Sequence, residues 1–121
     1  MPIRSVLIVD DSKTELMFLS NLLQKHHMTV RTAEGADEAM KRLAEGKPDL
    51  ILMDVVMPGQ SGYQLTRSIS RSPEYGSIPI ILCTSKNQET DRVWGMRQGA
   101  RDYITKPVNP GELLAKIKAL G

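Results

Sequence analysis

Disulfide bonding within the chain is excluded at once, because its 121 residues include one cysteine, Cys83. A reducing, cytoplasmic setting is the expectation. Cys83 ends an apolar run and reads as inert packing rather than as a reactive thiol. Aromatic residues are scarce at 4%, with one Trp and one Phe, and no stripe of aromatic and basic residues forms. The formal net charge is only +2, and no Lys/Arg run concentrates it, so nucleic acid is not an expected partner. No apolar stretch approaches the roughly 20 residues that span a bilayer, and no signal-peptide pattern precedes the first apolar run. Membrane insertion is therefore not expected. The two histidines, His26 and His27, have no cluster of further ligands beside them and read as helix-end residues.

What the chain does have is a fivefold alternation of short apolar runs and helical segments, the pattern of an α/β parallel sheet. Strands are expected near residues 5–9, 29–32, 49–53, 79–83 and 101–104. Helices are expected near 13–26, 36–45, 62–71, 88–98 and 110–120. Val6-Leu7-Ile8-Val9, Leu50-Ile51-Leu52-Met53 and Ile78-Pro79-Ile80-Ile81-Leu82 are apolar at every position, as strands covered on both faces must be. The second and fifth strands are more polar and belong at the edges. Right-handed crossovers then favour the order 2-1-3-4-5, a flavodoxin-like doubly wound (βα)5 sheet with its switch point between strands one and three. Ser12-x-x-Glu15 and Ser61-x-x-Gln64 have the spacing of capping boxes, and Asn109-Pro110 is an N-cap before a first-turn proline. On the first helix, at about 100° per residue, Phe18, Leu19, Leu22 and Leu23 form the apolar stripe and Met17 faces solvent. No linker or repeat divides the chain, and it ends after the fifth helix. A single domain over residues 1–121, without an output domain, is expected.

Four segments at strand ends carry the chemistry: Asp10-Asp11-Ser12, Met53-Asp54, Cys83-Thr84-Ser85 and Thr105-Lys106-Pro107. Ligands of open parallel sheets collect at these carboxyl ends. Two adjacent aspartates and a third on the neighbouring strand repel one another unless protons or a cation intervene. Mg²⁺ prefers such hard oxygen donors and shares them with phosphoryl groups. A carboxylate can also be a nucleophile that forms an aspartyl phosphate. Asp54, a lone acid in an apolar context, suits that role, and Asp10 and Asp11 suit metal binding. Lys106 can neutralise a phosphoryl oxygen, and the Thr84 hydroxyl can bond another. Taken singly, Asp11 reads as an N-cap, Asp54 as a turn residue before Pro58-Gly59, Thr84 as a strand-end hydroxyl and Lys106 as a solvated cation. Their joint placement at four strand ends favours phosphoryl transfer.

These residues, with Met57-Pro58-Gly59, Gly62 and Gly99-Ala100, resemble the receiver domain of bacterial two-component response regulators over the whole chain. The resemblance implies phosphorylation of Asp54 by a histidine kinase or histidine phosphotransfer protein, in a signalling protein rather than an enzyme. It implies direct Mg²⁺ ligation by Asp11, Asp54 and the Val56 backbone carbonyl, with Asp10 reaching the ion through water. It also implies a cis Lys106–Pro107 peptide bond. Thr84 and Tyr103 become the switch pair, with Tyr103 moving toward burial on phosphorylation, and the fourth helix, fifth strand and fifth helix become the output face. Val56 and Lys86 take the two positions that in this family modulate attack of water, and neither is an acid or an amide. Val93-Trp94-Gly95-Met96-Arg97-Gln98-Gly99-Ala100 is similar to stand-alone regulators of type IV pilus twitching motility. Met17 is a candidate seat for the phosphodonor, Trp94 is open between packing and partner contact, and a monomer is expected. The alternatives are a phosphate sink for a shared kinase, a degenerate interaction module and a flavodoxin-like ligand binder. Against the last, Asp10-Asp11 stands where a phosphate-bearing cofactor needs a Gly- or Ser/Thr-rich turn.

Overall fold

Parallel strands covered on both faces alternate their side chains between two cores, and the computed structural model, which describes residues 2–121, has that arrangement. The elements are β1 (Ser5–Val9), α1 (Lys13–Lys25), β2 (Thr29–Ala33), α2 (Ala36–Glu45), β3 (Leu50–Met53), α3 (Gly62–Ser70), β4 (Ile80–Thr84), α4 (Glu89–Arg97), β5 (Asp102–Thr105) and α5 (Pro110–Leu120). All strand pairs are parallel in the order β2-β1-β3-β4-β5. The expected flavodoxin-like topology is the observed one. Leu7, Val9, Ile51, Met53, Ile80 and Leu82 point to the face packed with Ala39 and Leu43 of α2 and Leu65 and Ile69 of α3. Val6, Ile8, Leu50, Leu52, Ile81 and Cys83 point to the other, with Leu16, Leu19 and Leu23 of α1 and Leu113 and Ile117 of α5.

The helix ends follow their caps. Ser61 and Gln64 form the full reciprocal box at the start of α3, and Asn109 accepts from the Glu112 N–H at 2.9 Å before Pro110. At α1 the expected box is only half formed. Ser12 Oγ accepts from the Glu15 N–H at 3.2 Å, but the Ser12 N–H donates to Asp10 Oδ1 at 2.9 Å, so the Glu15 carboxylate has no donor to meet there. The apolar stripe of α1 also differs from expectation. Leu16, Leu19 and Leu23 are its buried members, spaced three and four residues apart. Phe18 lies 40% exposed, because it sits beside Leu22 at the stripe's rim, about 100° from Leu19. Met17 faces solvent as expected. His27, at φ 68°, turns the chain out of α1, with the Met28 N–H donating to Leu23 O and the His27 N–H to Gln24 O. That is a left-handed helix stop, and His26 Nδ1–H donates to Leu22 O beside it at 3.0 Å. α4 is the most lightly anchored helix, since Gly95 is its one buried residue.

Candidate functional site

The sheet's hydrogen-bond ladder continues one residue past three strands and fixes the site on that extension. The Asp10 N–H donates to Ala33 O at 3.0 Å, the Asp54 N–H to Val9 O at 2.8 Å and the Lys106 N–H to Thr84 O at 2.7 Å. With Val9 level with Met53 in the β1–β3 register, Asp10 and Asp54 must stand side by side. Thr84, the last residue of β4, lies opposite Thr105, one residue before Lys106. Four of the five expected phosphoryl-site residues thus sit on rigid backbone. Asp11, on the β1–α1 connection, is exposed.

Carboxylate oxygens of Asp10, Asp11 and Asp54 lie within 4.8 Å of one another. Lys106 Nζ reaches across them, 2.8 Å from Asp10 Oδ2 and 3.5 Å from Asp54 Oδ1. Asp10 and Asp54 are almost fully buried, at 2% and 6% exposure. Burial, then the Asp10 charge, pushes Asp54 up to about 6, against the pull of Lys106 and the Val56 N–H. Lys106 loses some preference for its charge through burial, but the Asp10 hydrogen bond and the charges of Asp10, Asp54 and Glu15 outweigh that and hold its pKa above the ordinary value. Three carboxylates thus face one ammonium, and the donor set is all hard oxygen with Asp11 open to solvent. A divalent cation of the Mg²⁺ type fits these residues. The Val56 side chain is 54% exposed at the rim, and its carbonyl accepts no backbone hydrogen bond among the described residues, which leaves it available to such an ion.

Thr84 is wholly buried, and its Oγ1 accepts from the Lys86 N–H at 3.3 Å. The Lys106–Pro107 peptide bond is cis, as expected. Gly62 is required by the site's floor: a Cβ there would collide with the Asp54 backbone carbonyl. Its N–H donates to Val55 O at 2.9 Å, so α3 begins directly against the strand end that carries Asp54. Cys83 is buried, and desolvation pushes its thiol up to about 12, so it is packing, as read from the sequence.

Tyr103 is the aromatic expected at the switch. It is already buried, 7% exposed, with its hydroxyl donating to Lys86 O at 2.9 Å. The inward position that the resemblance assigns to the phosphorylated state is thus the one this structure shows. The ring lies against Gly95 of α4, where a Cβ would stand 3.3 Å from Tyr103 Cδ2 and 2.6 Å from Leu82 Cδ1. Trp94, on the outer side of α4, is half exposed and Val93 is 41% exposed. Met17 is 66% exposed on the first turns of α1. Sequence reasoning passed over Tyr63, whose hydroxyl lies 3.5 Å from that of Tyr103. It also passed over Asp91, which caps α4 by accepting from the Gln88 N–H at 3.2 Å. For Asp91 the signal was present, an acid three residues after a polar N-cap. For Tyr63 there was none.

A five-stranded 2-1-3-4-5 sheet with an acid triad, a strand-end threonine and a bridging lysine defines the class of aspartate-phosphorylated signalling domains. The chain belongs to the response regulator receiver domain family, whose model matches residues 6–118. It is 50% identical to protein PilH of Pseudomonas aeruginosa over 115 residues, 95% of each chain. It is 39% identical to the phosphate regulon transcriptional regulatory protein PhoB of Escherichia coli, covering 97% of this chain but only 51% of that one. The chain thus spans about half of PhoB's length. Among solved structures, a putative response regulator from Chloroflexus aurantiacus superposes with a TM-score of 0.92 at 32% identity, covering 99% and 98% of the two chains. The chemotaxis protein CheY4 of Vibrio cholerae does so with a TM-score of 0.91 at 28% identity, covering 98% and 99%. Among the described residues no helix is long and apolar enough to cross a membrane.

Proposed function

We propose that this receiver takes a phosphoryl group onto Asp54 from a histidine kinase or histidine phosphotransfer protein and signals through protein contacts on the α4–β5–α5 face. The carrying observation is the convergence of Asp10, Asp11 and Asp54, with Lys106 paired to two of the three. An Asp54 carboxylate oxygen bonds to phosphorus as the bond from phosphorus to a donor imidazole nitrogen breaks, and that nitrogen keeps the electron pair. Asp11, Asp54 and the Val56 carbonyl would hold Mg²⁺ directly, and Asp10 through water. When bound, the ion neutralises charge on the phosphoryl oxygens. Lys106 exchanges its carboxylate partners for a phosphoryl oxygen, and the Thr84 hydroxyl turns from the Lys86 N–H to donate to another. The partially protonated state of Asp54 near pH 6 works against attack, so a cation at the site raises the reactive fraction.

The protein acts in signalling and not as a turnover enzyme, a reading supported by its match to the response regulator receiver domain family. The Val93–Ala100 segment supports a place in control of type IV pili, with chemotaxis-like logic. Incubation with acetyl phosphate and Mg²⁺ tests the chemistry: intact mass gains one phosphoryl group, and excess chelator or Asp54→Asn abolishes the gain. Undiminished labelling under either condition contradicts the assignment. Transfer from a phosphorylated histidine phosphotransfer protein, followed by capture of a target by the phosphorylated form alone, distinguishes an effector from a phosphate sink.

A further inference from the structure

Glu15 stands on the first turn of α1 where a capping-box acid belongs, but the Ser12 N–H that such an acid accepts from is held by Asp10 Oδ1 at 2.9 Å. Its Oε1 is sealed from solvent and meets no donor among the described residues. A carboxylate oxygen sealed in without a donor is costly. An acid that served only the helix dipole has no need of that burial, since a solvated first-turn acid does the same. The placement of the carboxylate follows from what its charge acts on, which is Lys106 and the Cys83 thiol. Cys83 and Val108 belong to the core that α1 closes, so Glu15 lies where the start of α1 meets the end of β4 and the Lys106–Pro107 bond. Lys106 has three protons to place. One goes to Asp10 Oδ2 at 2.8 Å, and a second points toward Asp54 Oδ1 at 3.5 Å, beyond normal hydrogen-bond length. An ammonium short of acceptors and a carboxylate oxygen short of a donor thus share one wall of the site.

We propose that Glu15 is a positioning residue for Lys106: when a divalent cation draws Asp54 away from the ammonium, Lys106 donates to Glu15 Oε1 and is held there to meet a phosphoryl oxygen. Release of Asp54 to the cation then costs no lysine contact. Without Glu15 the same release strands an ammonium whose side chain is only 20% exposed, and the cation is bound less tightly. The exchange needs no movement of the backbone. α1 is packed into the core through Leu16, Leu19 and Leu23, and the Lys106 N–H is fixed on Thr84 O at 2.7 Å. Only two long side chains turn. A carboxylate suits the task better than an amide, because a hydrogen bond between two charged groups is about twice as strong as a neutral one. Glu15→Gln is also a clean probe, since Ser12 caps α1 through the Glu15 backbone N–H and not through its side chain.

The proposal rests on the reading of the acid cluster as a metal and phosphoryl site, and its two measurements use no phosphorylation. The first is NMR of the wild type with and without Mg²⁺. Cross-relaxation between Lys106 Hε and Glu15 Hγ protons is expected to be weak without the ion and strong with it. A contact equally strong in both conditions, or absent from both, overturns the proposal. The second is a double-mutant cycle of Glu15→Gln and Lys106→Met, with Mg²⁺ affinity read from titrated amide shifts. Glu15→Gln is expected to lose about tenfold in Mg²⁺ affinity when Lys106 is present and almost nothing when it is replaced. An equal loss in both backgrounds shows that Glu15 acts on the ion as a distant charge, and it refutes the positioning role. A Glu15→Gln protein that binds Mg²⁺ as wild type does refutes it too. Acetyl phosphate labelling at a position other than Asp54, with the contact and the cycle as expected, counts against the phosphoryl assignment and leaves the Lys106 exchange supported. A wild type that binds no Mg²⁺ refutes the metal site and the exchange together.

Discussion

With 6% of its surface exposed and Asp10 beside it, Asp54 keeps its proton up to about pH 6 when no metal is bound. Its unfolded value is 3.8, so between roughly pH 4 and pH 6 the folded protein binds more protons than the unfolded chain. Stability therefore falls as pH rises through that window and is level above it. A shift of about two units corresponds to a cost on the order of 3 kcal/mol at pH 7. Asp54→Asn removes that cost. In chelator its urea-melt stability is expected to exceed wild type by about 1–3 kcal/mol at pH 7 and to match it near pH 4. An equal gap at both pH values contradicts this. Asp11 behaves differently, since the Ser12 N–H is bonded to Asp10 and Ser12 itself caps α1. Asp11→Ala should leave metal-free melting unchanged or higher while phosphorylation by acetyl phosphate is lost. A clear drop in melting temperature would assign Asp11 a capping role.

The elements divide into those whose ends carry chemistry and those whose ends only cap. Ser61 closes a capping box, and Ser61→Ala is expected to cost about 1 kcal/mol in denaturant while Asp54 still labels. Gly62, one residue on, underlies the Asp54 carbonyl. Gly62→Ala forces α3 or the end of β3 to move, costs about 1–3 kcal/mol or more, and lowers labelling as well. Equal labelling of both variants would show that α3 does not set the Asp54 backbone. Strand positions were legible to within a residue or two because apolar runs such as Leu50–Met53 leave no other reading. The acid cluster was legible for the same reason, because strand ends fix where side chains converge. The α1 stripe was less so, since Phe18 and Leu16 differ only in which side of a rim they fall. The Tyr63–Tyr103 contact was not legible at all. It joins residues 40 apart, one on α3 and one on β5, a pairing that no local pattern encodes.

At the scale of the whole molecule, two cores clamp the sheet and leave one lightly packed helix beside the site. β1, β3 and β4 are buried at nearly every position, whereas α4 buries only Gly95. Elements with few buried apolar contacts yield first. A phosphoryl mimic is expected to perturb residues 86–106 and to leave β2, on the far edge of the sheet, near its starting state. Backbone NMR shifts with beryllofluoride check this. A coupling of about 1–3 kcal/mol shifts populations only in part, so averaged shifts along one line are the expected form. Changes confined to the acid pocket would remove the route to an output face and favour the phosphate sink.

The central claim is that one carboxylate, Asp54, accepts the phosphoryl group. Borohydride reduction of the protein after treatment with acetyl phosphate and Mg²⁺ tests it most directly, because it converts an aspartyl phosphate to homoserine at the modified position. Peptide mass mapping is expected to find homoserine at position 54, with Asp10 and Asp11 intact. Homoserine at either of those positions, or at none, contradicts the account.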